Sequence, residues 1–208
     1  MVLLSCILEA HNAAPYLEEV IGSILNQTFS NFELLIMNNG STDKTNKVLK
    51  KYEKNPKVRL FESEEKLPQG AVWNKLRKKS RGKYITFHYD TDISYPSRFE
   101  EQVELLKTTS LVAAGCAILK EGPLNSYPAK EVFYPFSPAE AIERQYVESD
   151  NSPLFMAGAI YKKEIFKIRH VSFSEISPLK IDRQFLAEVQ RYFPLRLASL
   201  QKVLYHHK

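Results

Sequence analysis

The feature that most constrains the fold of this chain is the alternation of short apolar runs with amphipathic segments through its first half. Four apolar runs have the length and composition of buried strands: residues 2–8, 32–37, 58–61 and 83–89. Four segments with apolar side chains at helical spacing follow them: residues 16–27, 41–52, 71–79 and 96–106. Strands that alternate with helices favour βαβ units. The sequence therefore predicts an α/β fold, with a mostly parallel central sheet flanked by helices as an α/β/α sandwich.

The second half of the chain is less regular, and residues 121–135 are rich in proline and glycine and read as a loop. We expect strands at residues 111–119 and 157–161, helices at residues 137–146 and 179–192, and a strand-like segment at residues 203–205 near the end of the stretch 195–206. Ser137 and Glu140 form the capping box that opens the first of these helices. No internal repeat or linker divides the 208 residues. We expect one domain with halves at residues 1–107 and 108–208, either on its own or as part of a longer protein.

The composition is that of an ordinary globular protein, with 44% hydrophobic and 25% charged residues. Lysine and arginine exceed aspartate and glutamate by 29 to 24, and much of the excess lies at residues 75–83. Such a cluster can meet nucleic acid, anionic lipid or a substrate's phosphates, but a solvated helix face is the interpretation we favour. Because aromatic residues are not interleaved with these cations, we expect no nucleic-acid partner and at most peripheral contact with a membrane.

The two cysteines, Cys6 and Cys116, both lie in apolar runs. This placement predicts buried, reduced thiols and no disulfide framework, as in cytoplasmic proteins. The first apolar run, residues 2–8, is too short to span a bilayer and lacks the basic leader of a signal peptide. We therefore expect a cytoplasmic location, including the cytoplasmic face of a membrane.

Two aspartates one residue apart, Asp90 and Asp92, follow the apolar run at residues 83–89. If the strand continues through them, its alternation projects both carboxylates to the same side. Two converging carboxylates repel each other unless a cation or a polar ligand lies between them, and Mg²⁺ often bridges carboxylates to phosphates. The pair is therefore a candidate site for a metal and a diphosphate. The alternative is a polar loop whose aspartates cap the helix that begins near Pro96.

Polar residues cluster after three of the predicted strands. The clusters are residues 9–12, Asn38 with Asn39, and residues 89–92. In open α/β sheets the carboxyl ends of parallel strands share one edge, and ligands bind beyond that edge. We therefore expect these three loops to meet in space and to form a binding site.

Five strings of this sequence, taken in order, resemble a known protein family. They are SCILEAHN at residues 5–12, SILNQTF at 23–29, ELLIMNNGSTD at 33–43, GKYI at 82–85 and PSRF at 96–99. They resemble the nucleotide-binding half of inverting family 2 glycosyltransferases with the GT-A fold, in particular those of spore-coat polysaccharide synthesis. The resemblance is strong over residues 2–107 and weaker but collinear beyond them. It implies transfer of a sugar from a nucleoside diphosphate, most often UDP, to a hydroxyl of a glycan or lipid-linked acceptor.

Carried over residue by residue, the resemblance implies a donor site built mainly on the three polar loops. The residues implied to contact the donor are Glu9, His11, Asn12, Asn39, Asn74, Tyr89 and Asp90. His11 would stack on the uracil, and Asn39 would accept a hydrogen bond from the uracil N3–H. Two of these positions depart from the family pattern, because Glu9 replaces a proline or threonine and Asn39 replaces an aspartate.

The resemblance also implies a Mn²⁺ or Mg²⁺ ion at the acidic segment. Alignment on Pro96 puts Thr91 at the metal-ligand position and Asp90 at the ribose, whereas alignment on the D-x-D pattern makes Asp92 the ligand. Since threonine offers only a neutral oxygen, we favour Asp92 as the metal ligand, with Asp90 on the ribose or the metal. Residues 205–208 fall where relatives often place a basic residue or a histidine near the diphosphate, although simple exposure of these histidines is the favoured alternative.

An inverting transfer needs a base that takes the proton of the acceptor hydroxyl. The segment around Asp182 resembles the one in which the family carries its catalytic carboxylate, so Asp182 is our candidate base and Glu175 a weaker one. An aspartate at a helix start is equally expected for its favourable interaction with the helix dipole. The departures at Glu9, Asn39 and Thr91 motivate an alternative, in which the chain is a non-catalytic or weakly active nucleotide-sugar-binding module of a larger glycosyltransferase.

Overall fold

The computed structural model describes residues 2–120, 129–132, 156–168, 171–173, 181–194 and 196–208, without the side chains of residues 181–184 and 190. The predicted helix at residues 137–146, the Glu175 candidate and most of the predicted loop at residues 121–135 lie outside the described residues. Within the described ranges, each predicted strand and helix is present with its ends shifted along the chain.

The strands are β1 (Leu4–Ala10), β2 (Phe32–Asn39), β3 (Val58–Ser63), β4 (Tyr84–His88), β5 (Ile93–Ser94), β6 (Ala113–Lys120), β7 (Lys130–Val132), β8 (Ile160–Lys162) and β9 (Leu197–His207). The helices are α1 (Leu17–Leu25), α2 (Thr45–Lys50), α3 (Gln69–Lys79), α4 (Arg98–Thr108) and α5 (Ile181–Tyr192), with a 3₁₀ helix at Lys163–Lys167. Helix α2 begins later than predicted. The Asp43 carboxylate accepts the Thr45 N–H at 2.9 Å, and this local bond keeps residues 41–44 in a loop conformation before the helix.

The described strands form one mixed sheet in the order β3-β2-β1-β4-β8-β6-β9-β5, with β7 paired to β6. Strands β1 to β4 are parallel to one another. Further along the chain β6 and β9 are parallel, whereas β5, β7 and β8 run antiparallel to their partners. The predicted parallel arrangement is therefore right for the first half, and the sheet as a whole is mixed because later strands join it in both directions.

Both faces of β1, β2 and β4 are buried, as expected for strands covered by helices on each side, whereas the edge strand β3 is largely half-buried. Along β1 and β2 alternate side chains enter two separate cores. One core holds Ile7 and Leu35 and is covered by α3 and α5, through residues such as Trp73 and Phe185. The other core holds Leu8 and is covered by α1 and α4. The result is the predicted α/β/α sandwich.

The predicted continuation of the fourth strand through Asp90 and Asp92 is wrong. Strand β4 ends at His88, and residues 90–91 form a turn in which the Asp92 N–H lies 3.4 Å from the Tyr89 carbonyl. A turn is favoured here because it delivers the two carboxylates to hydrogen-bond donors on different elements. The turn, and not strand alternation, therefore brings the Asp90 and Asp92 carboxylates near each other.

The segment after Asp92 is held in place by Gln27 at the end of α1. Its side-chain amide donates to the Tyr95 carbonyl at 2.7 Å, and its Oε1 accepts the Phe99 N–H at 2.9 Å. The Thr28 N–H donates to the Pro96 carbonyl at 2.9 Å. These bonds satisfy backbone groups at the start of α4, and they fix the position of the acidic turn that precedes it.

Cys6 and Cys116 are free and buried, as predicted. Burial raises the pKa of each thiol to about 12, because a thiolate would lose its hydration in the core. Both are therefore unreactive core residues at neutral pH. Among the helices of the described ranges, none has the length and apolar character needed to cross a membrane.

Candidate functional site

The loops that follow β1 and β2 are bound to each other. Asn12 adopts a positive φ of 52°, and its Oδ1 accepts the N–H groups of Thr42 at 2.9 Å and Asp43 at 3.3 Å. The Ala13 N–H donates to the Thr45 hydroxyl at 2.9 Å. Asparagine tolerates the left-handed conformation better than most residues, and its side chain pairs with nearby backbone. Asn12 therefore holds the loops after β1 and β2 together.

His11 connects these loops to the acidic turn. Its N–H donates to Asp90 Oδ2 at 3.1 Å, and its ring Nδ1 lies 2.8 Å from the Asn39 carbonyl oxygen. The contact to a carbonyl identifies Nδ1 as the protonated nitrogen. The three polar clusters that the sequence places after parallel strands thus meet at one edge of the sheet, which confirms the predicted convergence.

Glu9 and Asn39 form a hydrogen-bonded pair across β1 and β2. Asn39 is fully buried, and its Nδ2 donates to Glu9 Oε1 at 2.6 Å and to the Leu67 carbonyl at 2.9 Å. The Leu67 N–H donates back to Asn39 Oδ1 at 2.8 Å. Gly40, with φ of 63°, permits the close approach of residues 65–66 that this pairing needs, since a Cβ there would lie 2.5 Å from the Lys66 nitrogen.

Two carboxyl groups at this edge, those of Glu9 and Asp90, have raised pKa values. Burial raises the pKa of Glu9, and the nearby Asp90 adds to the rise, while the hydrogen bond from Asn39 opposes it. Burial also raises the pKa of Asp90, which the hydrogen bond from His11 opposes and the charge of Asp92 increases. Concentrated negative charge of this kind favours ligands that bring a cation or N–H and O–H donors.

Asp92 lies fully buried at the other end of the site. His207 Nδ1 approaches both of its carboxylate oxygens, at 3.0 and 2.9 Å, and the Lys208 N–H donates to Oδ1 at 3.3 Å. The Thr91 hydroxyl donates to the same oxygen at 3.2 Å. Tyr205 also hydrogen-bonds the carboxylate through its hydroxyl, and burial raises the pKa of that phenol far above its ordinary value.

Strand β9 and the residue that follows it therefore supply most of the described partners of Asp92, from a position more than a hundred residues further along the chain. The sequence indicated residues 205–208 as lying near a diphosphate, and the structure brings His207 to Asp92. Tyr205 lies in the same range, and strand alternation places its side chain on the same side as that of His207 and opposite that of His206.

A buried arginine lies behind this end of the site. The Arg98 guanidinium is fully buried, 5.2 Å from the centre of the Tyr205 ring, and its Nη1 lies 3.3 Å from the Thr86 hydroxyl. Burial lowers the pKa of Arg98, and the opposite charge of Asp92 is among the influences that raise it. His88 is also enclosed here, and burial lowers its pKa to about 4, so the imidazole is neutral at pH 7. The positive charge behind Asp92 therefore belongs to Arg98.

If a divalent cation binds at this edge, Asp92 and His207 are the side chains that would hold it, in place of their present hydrogen bond. A carboxylate oxygen and an imidazole nitrogen are donors that Mn²⁺ accepts, whereas Mg²⁺ prefers oxygen alone. In the described ranges, no group of three or more histidine, cysteine, aspartate or glutamate side chains is placed to hold a metal ion.

The other predicted site residues are placed as follows. The Tyr89 ring lies between those of Trp73 and His207, with its centre 5.9 Å from each. The Asn74 amide hydrogen-bonds both the carbonyl and the N–H of Phe173, so it fixes that segment against α3. Asp182 is the second residue of α5, and its side chain lies outside the described part of the chain.

Solved structures of glycosyltransferases share this fold. The chain aligns with S. aureus TarS 1–349 in complex with UDP-GlcNAc at a TM-score of 0.79 and 19% identity, covering 99% of this chain and 58% of that one. For the mannosyltransferase PcManGT from Pyrobaculum calidifontis, in complex with GDP-Man and Mn²⁺, the TM-score is 0.71 and the identity 15%, covering 98% and 56%. At these identities the likeness shows the fold alone, and it confirms the predicted GT-A architecture.

Relatives in sequence are glycosyltransferases by name. The chain is 34% identical over 113 residues to an uncharacterized glycosyltransferase of Haemophilus influenzae, covering 54% of this chain and 45% of that protein. It is 29% identical over 109 residues to the putative teichuronic acid biosynthesis glycosyltransferase TuaG of Bacillus subtilis, covering 52% and 43%. It thus spans less than half the length of either relative.

The model of the family described as "Glycosyl transferase family 2" matches residues 5–169 of this chain. That range contains the three polar loops, the last of which is the acidic turn, and helix α4. The predicted family is confirmed, while its spore-coat polysaccharide members are not singled out by these comparisons. The chain belongs to glycosyl transferase family 2.

Proposed function

We propose that this chain binds a nucleoside-diphosphate sugar, with UDP as the nucleotide, and transfers the sugar with inversion to a hydroxyl of a glycan or lipid-linked acceptor. The observation that carries the proposal is the meeting of three polar loops with the Asp92–His207 pair at one edge of the sheet. Residues 1–107 would hold the donor and residues 108–208 the acceptor, within one domain. The reaction would take place in the cytoplasm, with at most peripheral contact to a membrane.

The ligands of proteins with the same fold support a nucleotide-sugar donor. S. aureus TarS has been solved with UDP-GlcNAc and with UDP, and PcManGT with GDP-Man and Mn²⁺. Because these proteins share less than a fifth of their residues with this chain, their ligands guide the class of donor and not the sugar.

The first-half loops would hold the nucleoside. The His11 ring is partly exposed and is anchored through Nδ1 on the Asn39 carbonyl, so its face is held still for stacking on the base. Asn12, the next residue on the same loop, and Tyr89, which follows β4, would flank the nucleoside. The Asp90 carboxylate, held by the His11 N–H, would accept a ribose hydroxyl. A rigid arrangement of this kind lowers the entropic cost of ordering the nucleoside.

A divalent cation held by Asp92 and His207 would neutralise the charge that develops on the departing diphosphate. The chain's own contribution is to fix both ligands, since Tyr205 and the Lys208 N–H hydrogen-bond the Asp92 carboxylate. Asp182, at the start of α5, would take the proton of the acceptor hydroxyl while its oxygen attacks the anomeric carbon. The bond from that carbon to the diphosphate breaks in the same displacement, which inverts the configuration.

Thermal denaturation tests the donor site directly. UDP-sugar with Mn²⁺ is expected to raise the melting temperature of the wild-type chain, because a ligand that binds only the folded state stabilises it. Asp92→Asn keeps the size of the side chain and is expected to abolish the Mn²⁺-dependent part of the shift. Glu62→Gln is the matched control, since Glu62 is exposed at the same edge of the sheet, and it should leave the shift intact. A panel of nucleotide sugars that produces no shift would disprove the proposal.

The alternative function is a nucleotide-sugar-binding module with little or no transfer activity. The observation that favours it is that Asn39, at a position where the family resemblance implies an aspartate, uses its amide group to hydrogen-bond Glu9 and Leu67. Asp182→Ala separates the two functions. If the chain is an enzyme, this substitution is expected to lower the transfer rate by roughly a hundredfold or more with donor affinity unchanged. A wild-type chain that binds the donor without transferring it would establish the module instead.

A further inference from the structure

Asn39 has hydrogen-bonding groups that the chain itself already uses. Its Nδ2 donates to Glu9 Oε1 and to the Leu67 carbonyl, and its Oδ1 accepts the Leu67 N–H. Because a peptide N–H only donates and a carbonyl only accepts, the contacts with Leu67 fix which way the Asn39 amide points. Both of its amide hydrogens are therefore taken. Asn39 is also fully buried, so it holds its neighbours in place beneath the site.

Glu9 is in the opposite situation. One of its oxygens, Oε1, accepts the bond from Asn39, while Oε2 is enclosed and has no hydrogen-bond partner in the part of the chain that the structure describes. A buried carboxylate oxygen without a donor costs free energy that a suitable ligand would return. The Glu9 side chain as a whole is partly exposed, and the terminal torsion of glutamate is broad, so a donor of a bound ligand would reach Oε2 after a rotation of the carboxyl group.

We infer that Glu9 Oε2 accepts the ring N–H of the nucleotide's base and thereby selects the base, an inference that rests on the function proposed above. Uracil and thymine carry such an N–H at N3 and guanine carries one at N1, whereas cytosine and adenine carry a lone pair in the same place. A carboxylate only accepts hydrogen bonds, so it attracts the first group and repels the second. Stacking on His11 does not separate the bases, because every base has a π face.

The hydrogen bond between Glu9 and Asn39 determines how the amide of a glutamine at position 9 would be oriented. In Glu9→Gln, the Asn39 Nδ2 still needs an acceptor, so the glutamine Oε1 faces Asn39. The glutamine NH₂ then occupies the place of Glu9 Oε2. The substitution therefore turns an acceptor into a donor at one point of the site. A donor there matches the lone pair of cytosine N3 and opposes the N3–H of uracil.

Calorimetric titration with UDP and with CDP, each with Mn²⁺, tests the inference because the two nucleotides differ only along one edge of the base. The wild-type chain is expected to bind UDP about tenfold or more tightly than CDP, as one buried hydrogen bond of ordinary strength provides. Glu9→Gln is expected to bring the ratio of the two dissociation constants close to one or to invert it. Glu62→Gln makes the same chemical change at an exposed position and should keep the wild-type ratio.

A comparison of ligands on the wild-type chain needs no variant and covers the case in which Glu9→Gln does not fold. UDP methylated at N3 lacks the ring N–H, whereas UDP methylated at C5 keeps it. The first is expected to bind at least about tenfold more weakly than the second, on the same reasoning. Equal binding of the two methylated nucleotides would overturn the inference.

The remaining outcomes separate this inference from the proposed function. Equal affinity of the wild-type chain for UDP and CDP, or a preference that Glu9→Gln leaves unchanged, would remove the role of Glu9 while nucleotide binding stands. If no nucleoside diphosphate binds, with or without Mn²⁺, the proposed function fails and the role of Glu9 fails with it.

Discussion

At the amino-terminal edge of the parallel strands, the buried carboxylate of Glu33 on β2 accepts hydrogen bonds from three groups of the chain itself: the Ser5 hydroxyl at 2.7 Å, the Arg81 N–H at 2.6 Å and the Arg59 guanidinium at 2.8 Å. At the carboxyl-terminal edge, Glu9 on β1 accepts one bond from Asn39, and its second oxygen has no partner within the described ranges. Burial raises the pKa of both groups. At Glu33 the three donors more than reverse that effect and lower the pKa, whereas the pKa of Glu9 stays raised.

The difference distinguishes a carboxylate that stabilises the fold from one that is available to a ligand. Glu33 ties β1, β3 and the segment before β4 together, and each of its bonds is made within the folded chain. Glu9 gains little from folding and has an acceptor still to use. Ligands bind beyond the carboxyl ends of parallel strands, so polar groups short of partners are expected at that edge and not at the other.

The largest effect on stability is expected from Gly40→Ala at the carboxyl-terminal edge. The new Cβ would meet the backbone of residues 65–66 at 2.5 to 2.7 Å, and Gly40 has a φ of 63°. We expect the free energy of unfolding to fall by about 2–3 kcal/mol, since strain and the lost Leu67–Asn39 contact add together. Urea denaturation measures this. Gly22→Ala is the control, because nothing lies within 4 Å of its Cβ on helix α1, and it should raise stability by a few tenths to about 1 kcal/mol.

The same substitution, glutamate to glutamine, tests the difference between Glu33 and Glu9 at the two edges of the sheet. Glu33→Gln is expected to lower the free energy of unfolding by about 2 kcal/mol, because charge-assisted hydrogen bonds to a buried group are lost. Glu9→Gln is expected to change it by less than about 1 kcal/mol, since Asn39 keeps an acceptor. Urea denaturation of both variants side by side gives the two values. A larger loss for Glu9→Gln than for Glu33→Gln would contradict the distinction.

Tyr205→Phe tests the end of the site that β9 completes. It removes the hydroxyl that binds Asp92 and that the Tyr89 N–H approaches at 3.4 Å, while keeping the ring over Arg98. We expect a loss of about 1 kcal/mol in stability and a weakening of Mn²⁺-dependent UDP binding of up to about tenfold. Calorimetry with and without Mn²⁺ checks the second effect. Binding of UDP that is weakened equally in both conditions would argue that Tyr205 does not act through Asp92.

The smallest effect is a difference in pH dependence between Glu9 and Glu33. The pKa of Glu9 is raised above its ordinary value of 4.5, so the stability tied to its protonated form is lost as the pH rises through the folded-state pKa. The pKa of Glu33 is lowered from 4.5, so its contribution is present above 4.5 and is lost as the pH falls through its folded-state pKa. Between pH 3 and pH 7, the melting temperature of Glu9→Gln should therefore increase relative to that of the wild-type chain as the pH rises. The deficit of Glu33→Gln should shrink with falling pH, and parallel curves for all three proteins would refute both assignments.

The parallel half of the fold follows from local patterns. Apolar runs at residues 32–37 and 83–89 predict strands whose ends lie close to those observed, and the loops after them meet as expected because parallel strands end at one edge. The hydrogen bonds from His11 to Asp90 and Asn39 join the three loops directly. Periodicity also identifies β6 and β9, but not their parallel pairing with each other.

The turn at residues 90–91 and the partners of Asp92 could not be predicted in the same way. Strand alternation gives the side of a sheet on which a residue lies, but it does not say where the strand stops. Strand β4 stops at His88 because carboxylates in the following turn find donors on other elements. Those donors, His207 and the Lys208 N–H, follow Asp92 by 115 and 116 residues.

The family, the parallel strands β1 to β4 and the residues that gather beyond their carboxyl ends can be predicted from the sequence, because each of these depends on local order along the chain. The use of those residues depends on the fold: Asn39 hydrogen-bonds Leu67, Glu9 Oε2 has no partner among the described residues, and Asp92 is held by strand β9. Hydrogen-bond partners are chosen by distance in space. The role of a carboxylate therefore cannot be predicted from its position in the sequence alone, because it depends on which donors the fold brings within hydrogen-bonding distance.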